Sequence, residues 1–192
     1  MKVVLFYLTI ALASAALILL SMGQALTPAL PAPQTGVLRE NNLHFDAKAL
    51  AHYAPSPAHY AYVNQEWLAA PTGLQVATKR TWRMPRADAA GVQLMLAPEV
   101  GARLAGKPLH ISIGVLPMKG GTTARELAVS AEDGGPVRWV RRPVTTESGK
   151  LEFDLPASAG PVRAIGFWPF SDTKDWWFDF GVEITGVEIT AG

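Results

Sequence analysis

Beyond residue 70 the chain is a series of short apolar runs separated by glycine and proline. In LHISIGVL, residues 109–116, the odd-numbered residues are apolar, while His110 and Ser112 lie on the opposite face. Further runs occupy 74–76, 92–96, 126–130, 137–141, 151–155 and 162–168, and helical periodicity is almost absent. Seven or more short strands with turn signals between them predict an all-β fold, an antiparallel two-sheet sandwich.

Two local patterns refine this prediction. The segment GVEITGVEI, residues 181–189, has its apolar residues at even positions up to Ile184 and at odd positions from Val187. A two-residue period changes parity only through an extra residue, so Thr185-Gly186 is predicted to form a β-bulge or corner. The sequence Asp133-Gly134-Gly135 between two apolar runs predicts a hairpin turn.

The amino-terminal region differs from the rest of the chain. Residues 3–22, VVLFYLTIALASAALILLSM, carry no charge and follow Lys2. As a helix they span about 30 Å, the thickness of a bilayer core. We therefore predict a transmembrane signal anchor at 1–23, a Pro/Ala-rich linker at 24–37 and a sandwich domain at 38–192. A cleaved signal peptide is the alternative, because small-x-small sites occur at 21–25.

This arrangement predicts a location. Lys2 and the terminal amine are the positive charges nearest the apolar run, so the amino end is expected to stay in the cytoplasm. The protein is then a single-pass protein of the inner (cytoplasmic) membrane, with its carboxyl-terminal domain in the periplasm.

Composition removes several function classes. The chain has no cysteine, which excludes disulfides and thiolate metal sites. Lysine and arginine number 17 against 16 acidic residues, so no nucleic-acid partner is expected.

Five stretches together resemble a known family: LAGKPLHISIGVL, ARELAVSAEDGGPVRWV, KLEFDLP, VRAIGFWPF and FDFGVEITGVEI. Over roughly residues 70–190 they are similar to the galactose-binding-like jelly roll of many carbohydrate-binding modules. The resemblance implies a jelly-roll fold and sugar binding. Many members carry a structural calcium ion, but where they often place an acidic residue in the closing strand this chain has Thr185-Gly186. We predict no cofactor, with structural calcium as the alternative.

Candidate catalytic and metal-binding groups are few. Glu152 and Asp154 lie on one face of a strand at a spacing that glycosidases use, but alternation with buried residues accounts for them as a solvated face. The aspartates of the loop at 172–179 match no calcium-loop template. No nucleophile elbow, zinc-protease motif or phosphate loop is present. We therefore predict neither an enzyme nor a metal site.

Arginine gathers around two tryptophans, at 79–86 around Trp82 and at 138–142 around Trp139. Arginine beside an exposed ring binds carboxylate or phosphate groups, so an acidic polysaccharide or a lipid head group would suit such a surface. Ordinary solvated arginines along a sheet edge are the alternative.

The stretch from 165 to 180 is rich in aromatic residues. Phe167 continues the inward pattern, so Trp168 is expected to face outward or sideways. Trp176 and Trp177 are adjacent, and an extended chain points such side chains in opposite directions, so one of them is expected outside. Exposed rings in loops stack on sugars. The candidate ligand-binding residues are Trp168, Lys174, Asp175, Trp176, Trp177 and Asp179.

Two functions fit these residues. The first is a non-catalytic envelope or periplasmic glycan-binding module, tethered to the membrane, with a polysaccharide as ligand. The second is a structural or protein-interaction subunit of a membrane complex that binds no sugar, in which the same rings pack against a protein partner.

Overall fold

The structure is a computed structural model that describes residues 33–39, 42–46, 61–63 (backbone only), 73–78, 91–118, 121–145, 147, 149–171 and 180–192. All of these residues belong to one compact unit, residues 31–192. Within these ranges no helix is long and apolar enough to cross a membrane. The apolar run at 3–22 lies outside the described residues.

Two antiparallel sheets form the unit, as the alternating runs predict. In the described part of the chain, eight strands form the larger sheet: β1 (Val37–Arg39), β2 (Asn42–Asp46), β3 (Ala61–Val63), β4 (Leu74–Thr78), β6 (Leu109–Pro117), β7 (Thr122–Thr123), β10 (Gly149–Leu155) and β12 (Phe180–Ala191). Four form the smaller sheet, in the order β5 (Val92–Met95), β11 (Ala164–Phe170), β8 (Glu126–Glu132) and β9 (Val140–Pro143). Every ladder is antiparallel except the two-residue pairing of β7 with β12.

Strand β12 organises the larger sheet. Along one side it pairs with β6, and along the other it pairs first with β4 and then with β2. The register against β6 shifts between Ile184 and Gly186, which confirms the predicted bulge at Thr185-Gly186. At this bulge β12 exchanges one neighbour for the other. A Cβ on Gly114 of β6 would clash with the Thr185 hydroxyl oxygen, so any larger residue at position 114 would force the Thr185 side chain to move.

The inner faces of the two sheets make one hydrophobic core. Its largest fully buried side chains include Phe45 from β2, Phe153 from β10 and Phe167 from β11. Burying an aromatic or branched aliphatic side chain of this size stabilises a fold by roughly 1.5–3 kcal/mol. The odd-numbered residues of β6 point into this core and His110 points to solvent, as the sequence predicts.

The sequence predicts neither a short helix nor strands β1, β2, β3 and β7, all of which the structure contains. A short helix, α1 (Pro98–Leu104), follows β5; it starts with proline and buries Val100 and Leu104. The folded unit also begins before residue 38, because Gln34 of the predicted linker donates a hydrogen bond to the Met95 carbonyl oxygen and accepts one from the Ala97 amide. Strands β1 and β2, which had not been predicted, follow it.

The turn at Asp133 is also wider than a simple hairpin. The first pair of β8 with β9 is Val129 with Val140, so β9 starts three residues later than predicted. The Asp133 carboxylate accepts hydrogen bonds from the amides of Ala159 (2.6 Å) and Gly135 (3.0 Å). These bonds, the first above all, hold the pKa of Asp133 below its usual value. The aspartate therefore ties the turn to the loop between β10 and β11.

Candidate functional site

Trp168 lies on β11, opposite in parity to the core residue Phe167. Its register partner on β8 is Ala128, so its side chain belongs to the outer side of the smaller sheet, as expected. Trp168 is nevertheless only 1% exposed, so other side chains cover its ring. A small residue opposite it leaves room for neighbouring side chains to cover its ring.

Trp139 is one of the side chains that cover it. The two ring centroids are 6.0 Å apart and the planes meet at 73°, an edge-to-face arrangement that aromatic pairs favour. The far edge of the Trp139 ring reaches Gly91, where a Cβ would lie 2.8 Å from a ring carbon, and Gly91 also has a positive φ of 67°. Among the aromatic side chains that the structure describes, Trp139 is the one that is not fully buried.

Paired polar groups accompany these rings. Arg141 donates to Glu126 at 3.1 Å, and its guanidinium lies 5.8 Å from the ring centroid of Phe170. The Gln93 amide donates to the Glu132 carboxylate. We use the term aromatic face for this outer side of the smaller sheet, formed by Gln93, Glu126, Glu132, Trp139, Arg141, Trp168 and Phe170. Alternation could have identified the members of this face that lie on the four strands. The position of the Trp139 ring next to Gly91 could not be predicted from the sequence.

The structure divides the arginines that the sequence groups around Trp139. Only Arg141 lies on the aromatic face. Arg138 donates to the Ala157 carbonyl oxygen, and Arg142 donates from Nε to the Glu152 carbonyl oxygen of β10. Arg138 therefore contacts the segment after β10, and Arg142 contacts β10 itself. The aromatic face itself has one arginine against two glutamates, so the structure does not place a basic cluster at Trp139.

The other predicted ligand-binding residues, Lys174, Asp175, Trp176, Trp177 and Asp179, lie outside the described residues. The chain enters and leaves their segment at defined places. Buried Thr78 has its hydroxyl 3.1 Å from the Pro169 carbonyl oxygen and 3.4 Å from that of Phe180. One side chain therefore joins the end of β11 to the start of β12, next to the Phe170 end of the aromatic face.

The outer side of the larger sheet has a different character. Register pairs bring Asp154 and His110 together, and likewise Glu152 and Ser112. His110 contacts Asp154 through Nδ1 at 2.8 Å and Glu152 through Nε2 at 3.0 Å, while Ser112 donates to Glu152 at 2.9 Å. On the adjacent strand, Glu188 lies 3.5 Å from both Lys150 Nζ and His44 Nδ1. We call this outer side the polar face.

The polar face carries exposed ion pairs centred on His110. The hydrogen bond to Asp154, supported by the charge of Glu152, raises the pKa of His110 and favours an imidazolium that donates from both nitrogens. The two carboxylates are thus engaged with His110, and the Asp154 side chain is 78% exposed.

Within the described ranges, no three histidine, aspartate or glutamate side chains are placed to hold a metal ion together. The aspartates at 172, 175 and 179 are outside these ranges.

Comparison with known proteins gives distant likenesses. No family model and no curated protein matches the chain. Among solved structures it is similar to the CBM22-1 xylan-binding domain of Paenibacillus barcinonensis Xyn10C, with 15% identity, a TM-score of 0.45, and 83% of this chain and 97% of that chain covered. It is also similar to the C-terminal family 22 carbohydrate-binding module of Clostridium thermocellum Xyn10B. That match has 12% identity and a TM-score of 0.40, and it covers 81% of this chain and 88% of that chain. At these scores the likeness assigns no family to the chain.

Proposed function

We propose that this chain is a non-catalytic glycan-binding module whose saccharide stacks on Trp139. The observation that carries the proposal is the partly exposed ring of Trp139, which packs edge-to-face against Trp168 and reaches Gly91. Sugar-binding sites combine such a ring with a few planar polar groups. The Arg141–Glu126 and Gln93–Glu132 pairs supply these groups on the same face.

The balance of charge favours an uncharged saccharide. Arg141 is already paired with Glu126, and Glu132 adds a second negative charge to the aromatic face. An acidic polysaccharide would meet net repulsion there. Stacking contributes about 1 kcal/mol per ring. Binding should therefore be millimolar to micromolar unless a polymer engages several copies.

The loop at 172–179 is proposed to extend the site, with Trp177 or Trp176 as a second stacking ring and Lys174, Asp175 and Asp179 as polar contacts. This segment follows β11, whose last residue, Phe170, lies on the aromatic face, and this supports the proposed placement. Replacing the outward tryptophan with alanine should abolish binding and leave the melting temperature unchanged. Replacing the inward one should destabilise the fold by about 3–5 kcal/mol.

Trp139→Ala tests the central part of the proposal. In affinity electrophoresis of the purified full-length chain through gels containing neutral envelope polysaccharides, the wild type should be retarded and the variant should not. Leu38→Ala is a matched control, because Leu38 is 59% exposed on an edge strand of the larger sheet. Equal retardation of the wild type and Trp139→Ala would contradict stacking on this ring.

The location remains part of the proposal. We propose that the apolar run at 3–22 anchors the chain in the inner membrane and that the sandwich lies in the periplasm. We also propose that the strands of the sandwich have the jelly-roll arrangement. The protein should then sediment with membranes and keep its first residues. An intact mass that begins near Gln24 or Leu26 would instead show cleavage.

A protein-interaction subunit is the second candidate, and strand β1 favours it. Val37 and Leu38 are exposed there, and β1 pairs with β2 on one side. An exposed edge strand with apolar side chains can accept a strand from a partner. If Leu38→Ala disrupts a complex in membrane extracts while Trp139→Ala has no effect on any polysaccharide, this function replaces the first.

A further inference from the structure

Among the residues that the structure describes, the indole N–H of Trp168 is a buried donor without a partner. Trp168 is 1% exposed, and Nε1 makes no hydrogen bond to any of these residues. A buried, unpaired donor costs about 1–3 kcal/mol. Buried tryptophans usually pair this group. Phenylalanine would fill much of the same space without that cost, so the N–H group calls for an explanation.

The position of Trp168 next to Trp139 supplies an explanation for this N–H group. Trp168 packs edge-to-face against Trp139, the ring proposed to carry the saccharide. The ligand platform therefore packs against the ring that carries the unpaired donor. Trp139 precedes β9 and lies outside the strand ladders, so its side chain can tilt without breaking a strand.

We infer that the Trp168 indole N–H donates a hydrogen bond to an uncharged oxygen of the bound saccharide, a hydroxyl or a ring oxygen, once Trp139 tilts. This inference rests on the proposed function and adds a specificity-determining residue to it. An indole nitrogen donates and does not accept. The residue therefore selects a ligand that presents an acceptor oxygen next to its stacking face, and it rejects analogues without that oxygen.

The test follows the N–H directly. The chain has six tryptophans, so a ¹⁵N-labelled full-length sample in detergent micelles gives at most six indole signals. In the free protein the Trp168 signal should lie upfield, as for an N–H without an acceptor. Titration with the neutral oligosaccharide of the best-retained polysaccharide should move it downfield and slow its hydrogen exchange.

Two results would overturn the inference in distinguishable ways. If the oligosaccharide shifts the Trp139 indole signal and leaves that of Trp168 unchanged, the protein binds sugar without this donor. If no indole or backbone signal responds to any oligosaccharide, the proposed function fails, and this inference fails with it.

A pair of variants gives a second readout. Trp168→Phe should weaken oligosaccharide binding about tenfold, the factor for one lost hydrogen bond. Ser112→Ala, on the outer side of the other sheet, is the control and should bind as the wild type does. Unchanged affinity in Trp168→Phe would contradict the inference. If that variant does not fold, the indole titration of the wild type decides alone.

Discussion

The outer sides of the two sheets differ in how their hydrogen-bonding groups are paired. On the polar face, His110, Ser112 and Glu152 contact one another across neighbouring strands, so their hydrogen-bonding groups are engaged within the sheet. On the aromatic face, Trp168 keeps an unpaired donor beneath a partly accessible ring. The buried indole N–H and the partly exposed ring above it are the observations that direct the functional proposal to the aromatic face.

The largest difference between the faces should appear in stability. Trp168→Ala removes a fully buried ring and should lower the free energy of unfolding by about 3–5 kcal/mol. Glu152→Ala removes only exposed pairs and should cost less than about 1 kcal/mol. Urea unfolding of both full-length variants measures the two values. Similar losses would mean that the faces do not differ in the way the burial indicates.

A smaller effect is expected where the bulge meets the polar face. Gly114→Ala places a methyl group against the Thr185 hydroxyl and should cost about 1–3 kcal/mol, as overpacking does. Thr185→Ala in the same chain should recover most of that loss. Gly149→Ala is the control on the neighbouring strand, because a Cβ at 149 meets no atom within 4 Å. Failure of Thr185→Ala to rescue would place the strain elsewhere.

The smallest effect concerns pH and the polar face. Because the pKa of His110 is raised in the folded protein, its pairs contribute fully below its ordinary pKa of 6.5 and are lost as the pH rises through the raised value. The stability difference between wild type and His110→Ala should therefore be larger at pH 5.5 than at pH 9. Exposure limits the change to less than about 1 kcal/mol. Ser112→Ala, which removes a group that does not titrate in this range, is the control for the same denaturation series.

Alternation explains why much of the fold could be predicted. The odd positions of β6 and the parity change at Thr185-Gly186 follow from a period of two, which packing against one core enforces. Helix α1 was not predicted because it has seven residues, and its two buried side chains, Val100 and Leu104, are too few to show a helical period in the sequence. Strand β9 starts later than predicted, after a turn in which Asp133 accepts a hydrogen bond from the Ala159 amide. Sequence patterns do not reveal such a contact between distant parts of the chain.

The candidate site was less predictable for a related reason. Parity placed Trp168 on the outer side of its strand, but the covering by Trp139 depends on tertiary contacts that sequence spacing does not encode. The same holds for the arginines. Neighbours in sequence, Arg141 and Arg142, point to a carboxylate on the aromatic face and to a carbonyl oxygen of the other sheet.

Polysaccharide retention of one variant from each face tests the account most directly. Trp139→Ala and Glu152→Ala should be run beside the full-length wild type through the same neutral polysaccharide gels. The account predicts that Trp139→Ala migrates as it does without polysaccharide, while Glu152→Ala is retarded like the wild type. Loss of retardation in Glu152→Ala, with Trp139→Ala still retarded, would place the binding site on the polar face and contradict the account.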